Sequence, residues 1–271
     1  MDAQTLIIIA GAVVAGFVQG LSGFAFGMVS MSFWAWTIDP RLAAAMAVFD
    51  SLTGQIIAAV TVRRGFDIHK LAPFVLGGLL GLPLGLLLLP RLDVLMFKAL
   101  LGSLLVVACP AMMFAAQLPR ITRGGRIADA FIGAGGGFTG AFGGFTGVVP
   151  TLWCTLRGMD KDSQRAIIQN FNLALLAVTF ASYIATGVVT TATLPYFAIV
   201  APAMLIPSLL GARLYIGISE ATFRSVVLGL LTVTGAALLV ASVPGLLWRL
   251  GEALASRFLL RLGDSQGRSA A

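Results

Sequence analysis

The chain has 271 residues, of which 58% are hydrophobic and only 11% charged, and its mean hydropathy is +0.97. A soluble domain carries about 25% charged residues, so this composition excludes an ordinary soluble globule and calls for lipid as part of the solvent. The net charge of +7 would suit nucleic acid, but the cations sit in short segments between apolar runs (Arg63-Arg64, Arg120/Arg123/Arg126, Arg157/Lys161/Arg165), which is how membrane proteins fix their topology; a nucleic-acid partner is not expected.

The N-terminus, Met1-Asp2-Ala3-Gln4, shows no basic region and no small-residue cleavage site ahead of Leu6, so the first apolar stretch reads as a membrane segment. Uncharged stretches follow at about 5–38, 42–62, 71–90, 99–118, 130–156, 166–190, 192–212 and 225–247. Four precede a basic linker at 119–129 and four follow it. This divides the chain into a first transmembrane repeat (1–118), a cytoplasmic linker (119–129), a second repeat (130–247) and a C-terminal piece (248–271). From 245 to 262, Leu246, Leu247, Leu250, Leu254, Phe258 and Leu262 alternate with Arg249, Glu252, Arg257 and Arg261, as in an amphipathic helix lying on a membrane surface.

The halves match one another. Gly16, Gly20, Gly23 and Gly27 have counterparts 120 positions later at Gly136, Gly140, Gly143 and Gly147, and Gly65, Pro73, Gly85 and Phe97 are followed in order by Gly187, Pro195, Gly211 and Phe223. Duplication explains this best. With eight single crossings and a cytoplasmic N-terminus, short inner loops would hold six cations and outer loops eight, against the positive-inside tendency. If each Gly-rich stretch instead enters and leaves on one side, the inner loops hold eleven and the outer loops three: Arg41, Arg91 and Lys98. Four cations of the C-terminal tail then add to the outer side. Residues 5–38 are too long for one crossing and a little short for two, which suits two arms meeting at a break. The expected fold is an all-α polytopic membrane protein of two four-segment, inverted repeats, each opening with a Gly-rich broken or re-entrant helix.

Glycines four apart also let membrane helices pack closely. A broken helix gives them a second use, because freed backbone N–H groups at a helix N-terminus can face an anion. Beside the two clusters stand polar residues that donate hydrogen bonds without a full charge: Gln19, Ser22, Ser30 and Ser32 in one half, Thr139, Thr146 and Thr151 in the other. Asp50, with Ser51, Thr53 and Gln55, lies inside a membrane segment, where an ionisable group is costly and marks a candidate for proton or ion coupling. Its positional partner is Asn172, with Gln169 and Asn170, on a segment that Arg165 opens. The expected substrate-binding set is Gln19, Gly20, Ser22, Gly23, Thr139, Gly140, Gly143, Thr146, Arg165, Asn170 and Asn172. No metal or cofactor is expected: Cys109 and Cys154 lie in apolar runs as packing residues. The partners expected are a small anion and the bilayer, and the sequence is compatible with a homodimer.

Gly20-Leu21-Ser22-Gly23 also fits the Gly-x-Ser-Gly pattern of intramembrane serine proteases. That chemistry needs a base within reach of the serine, and the sole histidine, His69, stands among Arg63, Arg64, Asp67 and Lys70 in a charged loop. At the matching place in the second half the glycines recur and the serine does not. An intramembrane hydrolase using Ser22 is therefore the weaker alternative, and no enzyme is expected.

The two Gly-rich openings, GFVQGLSGFAFG at 16–27 and GGFTGAFGGFTG at 136–147, together with the size, the four-plus-four layout and the basic linker, resemble the TauE/SafE sulfite exporter family over residues 5–247. The resemblance implies a multi-pass transporter of the bacterial inner membrane that exports sulfite or a small organosulfonate such as sulfoacetate, with the Gly-rich segments as the substrate region. An importer or channel for another small anion is the nearest alternative.

Overall fold

The fold was analysed in a computed structural model that describes residues 2–22, 25–61, 65–122, 124–213 and 220–269. Among the described residues there is no strand. Ten α-helices follow in order: α1 (Ala3–Ser22), α2 (Phe26–Trp34), α3 (Pro40–Thr61), α4 (Ile68–Leu88), α5 (Val94–Phe114), α6 (Arg126–Gly140), α7 (Val148–Leu156), α8 (Lys161–Ala185), α9 (Leu194–Arg213) and α10 (Glu220–Ser269). Seven segments, one each in α1, α3, α4, α5, α8, α9 and α10, are long and apolar enough to cross a membrane.

The helix ends follow the sequence chemistry. Asp67, Asp93 and Asp160 each stand one residue before a helix, and their carboxylates accept from the first-turn N–H groups of α4, α5 and α8. The Met96 N–H, helped by Arg249 of α10, holds the Asp93 carboxyl below the usual carboxylate range, and the Ser163 N–H does the same for Asp160. A depressed pKa adds stability that is fully present above the unfolded-state value and is lost only as pH falls through the folded-state value. The melting temperature of the detergent-solubilised protein should therefore be flat near neutrality and fall in acid, and Asp93→Asn with Asp160→Asn should blunt that fall.

Helix pairing is governed by glycine. In lipid no hydrophobic force drives helices together, so close backbone approach must do it. α4 packs on α6, α1 on α9, α5 on α10 and α3 on α8. A Cβ added at Gly77 or Gly81 of α4 would overlap the carbonyls of Ala130 or Ala134, and one at Gly133 or Gly137 of α6 would overlap those of Phe74 or Gly78. On the other side of the molecule, a Cβ at Gly16 would lie 2.5 Å from the Met204 carbonyl and one at Gly211 2.6 Å from that of Phe17. Exchanging α1–α5 for α6–α10 maps these contacts onto one another. The α1–α9 pair becomes α6–α4, α3 on α9 becomes α8 on α4, and α5–α10 and α3–α8 map onto themselves.

Both Gly-rich stretches are interrupted, later than their glycines begin. α1 runs intact through Gly16 and Gly20 to Ser22, and α2 starts at Phe26. α6 runs through Gly133, Gly136 and Gly137 to Gly140, and α7 starts at Val148. The early glycines thus serve helix packing; Gly143 and Gly144 form the turn in the second half, and the described break in the first is at Ala25. Each short helix returns along its partner: the Trp34 indole N–H donates to the Ile8 carbonyl (3.2 Å), and the Trp153 indole N–H donates to Asp129 (2.8 Å). Asp129 also binds Arg157 at 3.1 Å, and the Ile121 N–H donates to the Leu156 carbonyl, so α7 ends beside the start of α6. Asp129→Ala leaves a half-buried indole N–H and a cation without their acceptor. The expected loss is about 1–3 kcal/mol, read as a lower melting temperature.

Two segment boundaries differ from those read in the sequence. The last part of the linker, from Arg126, already belongs to α6, whose first turn carries Asp129. The amphipathic piece at 245–262 is not separated from the last span: α10 continues through Pro244 to Ser269 as one helix. Leu, Ala and Arg favour continuation there, and a proline in a membrane helix does not by itself end it.

Candidate functional site

The two interruptions meet. A Cβ at Gly27 would overlap the Gly143 carbonyl, so the first turn of α2 sits directly against the turn between α6 and α7. Ala25 takes a left-handed conformation (φ 75°), and Gly143 (φ 131°) and Gly144 (φ 78°) do likewise. For a non-glycine residue that conformation costs roughly 1–2 kcal/mol, and such strain gathers at functional sites.

Each turn leaves backbone donors unspent. The first bond of α2 runs from the Val29 N–H to the Ala25 carbonyl, so the N–H groups of Phe26, Gly27 and Met28 have no acceptor within the helix, and no side chain caps them. In the second half a single 3₁₀ turn, Phe145–Gly147, leads into α7, again without a side-chain cap; the Val148 N–H is taken by the Phe145 carbonyl and Pro150 has none, so the donors there belong mainly to the turn. These residues line one cavity of about 50 Å³, closed on its other sides by Gln19 of α1, Ser51 and Gln55 of α3, Met112 of α5 and Ile168, Asn172 and Leu176 of α8. A single water needs about 10–15 Å³, so the cavity has room for a small polar ligand. Partial positive charge from two helix N-termini falls on it.

Of the residues expected from the sequence, Gln19, Thr146 and Asn172 line this cavity. The Thr146 hydroxyl donates to Asn172 Oδ1 at 2.9 Å, which fixes the amide so that its nitrogen, without an acceptor among the described residues, is left as a donor. Thr139 stands behind the wall: its hydroxyl donates to the Gly135 carbonyl (3.0 Å) and reaches that of Phe145 (3.0 Å), latching α6 to the turn. Gly140 makes room for the Thr146 methyl, and Gly20 lies against Gly211 of α9. Gly23 and the side chain of Ser22 lie outside the described residues. Sequence reasoning passed over Gly144 and Met112, and it grouped Ser51 and Gln55 with Asp50 without placing them at the site. Their spacing of four puts them on one face of α3, which is the signal that marks them.

Arg165 and Asn170 are elsewhere. They border a larger cavity of about 400 Å³ between residues 65–71, the loop before α4 and its first turn, and the start of α8, with Lys70, Asp67 and Asp162. Asn170 donates to the Gly65 carbonyl (3.1 Å) and so ties α8 to that loop. α8 serves both spaces: Ala166 and Gln169 face the larger one, Ile168 and Asn172 the smaller. His69 is exposed in the first turn of α4.

Asp50 is fully buried in α3, and neither carboxylate oxygen has a hydrogen-bond partner among the described residues. It stands nine residues, about 14 Å, from Arg41 at the start of the helix. One turn further on, Gly54 makes room for the Gln19 amide, and Ser51 and Gln55 reach the cavity wall. The acid is therefore next to the site without lining it.

Seven apolar spans, with two broken helices that meet around a small cavity, define a polytopic membrane protein. The chain belongs to the sulfite exporter TauE/SafE family, whose model matches residues 8–238. Membership makes it a membrane transporter of sulfur anions. No curated protein and no solved structure matches the chain.

Proposed function

We propose that this protein exports a small sulfur-containing anion, sulfite or an organosulfonate, across the inner membrane of a bacterium, and that the anion is held in the small cavity between the two broken helices. The supporting observation is that two uncapped helix N-termini, from matching places in the two halves, open on one space lined by neutral donors. Export needs no ATP: an inside-negative potential favours outward movement of an anion by roughly 2.3 kcal/mol per charge per 100 mV.

The same reading makes the halves inverted repeats and each broken helix re-entrant. In support, the packing maps onto itself when the halves are exchanged, and each short helix returns to the end at which its partner began. With both hairpins returning, the side facing 63–70, 120–126 and 157–165 carries the excess of cations and is the cytoplasmic one. The cavity near Arg165 is then the inner vestibule, and movement of one repeat against the other carries the anion across. Asp50 is the group available to couple a proton or cation to that movement.

Counterflow of labelled sulfite in proteoliposomes tests the proposal, and an inert wild-type protein would end it. Asn172→Leu removes a cavity donor and the partner of Thr146; a loss of about 1–3 kcal/mol of ligand stabilisation predicts roughly 5- to 150-fold slower counterflow. Wild-type rates in that variant would place the site elsewhere.

A further inference from the structure

We infer that the transported species is a compact anion carrying a single charge, so that among sulfur oxyanions the site takes hydrogensulfite and refuses sulfate, the sulfite dianion and sulfoacetate. This rests on the cavity between the broken helices being the substrate site. The inference comes from what the wall contains and what it lacks. Among the described residues that line it there is no lysine, arginine or histidine. Its donors are backbone N–H groups at two helix N-termini and the neutral side chains of Asn172, Ser51, Gln19 and Gln55. Asp50 of α3, an acid, stands immediately before Ser51, and neither of its carboxylate oxygens has a hydrogen-bond partner among the described residues.

Charge number decides what such a site can hold. Desolvating an ion costs an amount that grows with the square of its charge, whereas neutral dipoles return an amount that grows only linearly. Going from one charge to two therefore multiplies the penalty about fourfold and the return about twofold. A guanidinium or ammonium in the wall would close that gap, and none is present among the described residues that line it. An acid one residue from the wall widens it when charged.

Sulfoacetate, with a sulfonate and a carboxylate, carries two charges and falls under the same rule. Hydrogensulfite meets it at neutral pH, because its second ionisation lies close to neutrality and a large share remains singly charged.

The test is uptake and counterflow in proteoliposomes holding the full chain, with sulfite, methanesulfonate, sulfate and sulfoacetate compared at several pH values set equal on both sides. Methanesulfonate keeps one charge at every pH. Its flux should be nearly constant with pH, sulfite flux should fall in step with the hydrogensulfite fraction as pH rises, and sulfate and sulfoacetate should run at least about tenfold slower. Charge movement on a supported membrane should give one elementary charge per methanesulfonate when no pH gradient is present and uncoupled transport is measured in Asp50→Asn. As a converse arm, Thr151→Lys places a cation in the wall and should raise sulfate flux relative to methanesulfonate. Sulfate or sulfoacetate moving as fast as methanesulfonate, or sulfite flux rising with pH, overturns the charge rule while leaving the transport reading intact. No flux and no thermal stabilisation by any of the four anions overturns both.

Discussion

Gly27→Ala should abolish transport and leave a folded protein. The backbone at Gly27 is ordinary helix, so an alanine is not strained by its own conformation; only space forbids it. Its Cβ would overlap the Gly143 carbonyl, and the Phe145 ring lies 3.4 Å away on the same side. Relief requires α2 or the turn at 141–147 to move, and that turn is held by Thr139 through the Phe145 carbonyl and by Gly144 through Gly140. A displacement near 1 Å at a site built from fixed donors is enough to lose about 100-fold in rate. The turn itself carries little of the helix-pairing interface, which lies along α4–α6, α1–α9 and α5–α10. The melting temperature should therefore fall far less than in Gly81→Ala, where the new Cβ meets backbone in the middle of α4–α6. Gly229→Ala, with nothing within 4 Å, supplies the control: it should be neutral or stabilise α10 by up to about 1 kcal/mol. Gly27→Ala protein that counterflows sulfite at the wild-type rate would detach the site from the meeting of the two turns.

The glycine pattern carried most of this fold, and it also concealed part of it. One spacing of glycines encodes two different things. Gly16, Gly133 and Gly137 meet backbone of a facing helix, while Gly27, Gly143 and Gly144 meet at the cavity. Nothing in a single sequence separates the two uses, because both need the absence of a Cβ; the partner surface decides. The breaks were legible as a region and not as residues for that reason. The expected site divided along similar lines. Asn172 and Thr146 are 26 residues apart and find each other only because α8 packs against the 3₁₀ turn. Asn170, two residues from Asn172, points about 200° round the helix and faces the larger cavity instead. Adjacency in sequence said little there, and helical phase said more. The spaced matches between the halves were useful in the opposite way: offsets of 120 to 126 residues set α1 beside α6 and α4 beside α9, and exchanging those helices also maps the main packing pairs onto one another.

Asp50→Asn separates a structural acid from a coupling one. Asparagine keeps the shape and removes the charge. An acid retained for architecture would be paired, and truncating its pairing would lower the melting temperature; Asp50 has no hydrogen-bond partner among the described residues. A charged group at membrane depth costs about 2.5–3.5 kcal/mol on insertion scales, so the variant should melt at the wild-type temperature or above it. The helices packed on α3 offer few other groups able to answer a pH change. α1 and α2 contain no ionisable side chain; α9 contributes Tyr196 and, as its last residue, Arg213; the turn at Leu89–Arg91 contributes Arg91; and α8 contributes Tyr183, whose hydroxyl donates to the Ala141 carbonyl, with Lys161, Asp162 and Arg165 confined to its first turns. Methanesulfonate is the right probe, since its own charge is constant with pH. A pH gradient imposed across wild-type proteoliposomes should change its net flux. In Asp50→Asn that response should vanish, while exchange without a gradient continues at a comparable rate. If the variant keeps the full response to the gradient, the coupling group is another residue. If it loses exchange as well and melts lower, Asp50 is part of the architecture after all. Loss of the gradient response alone is the signature of coupling, because it removes the link between two fluxes without removing either the fold or the path.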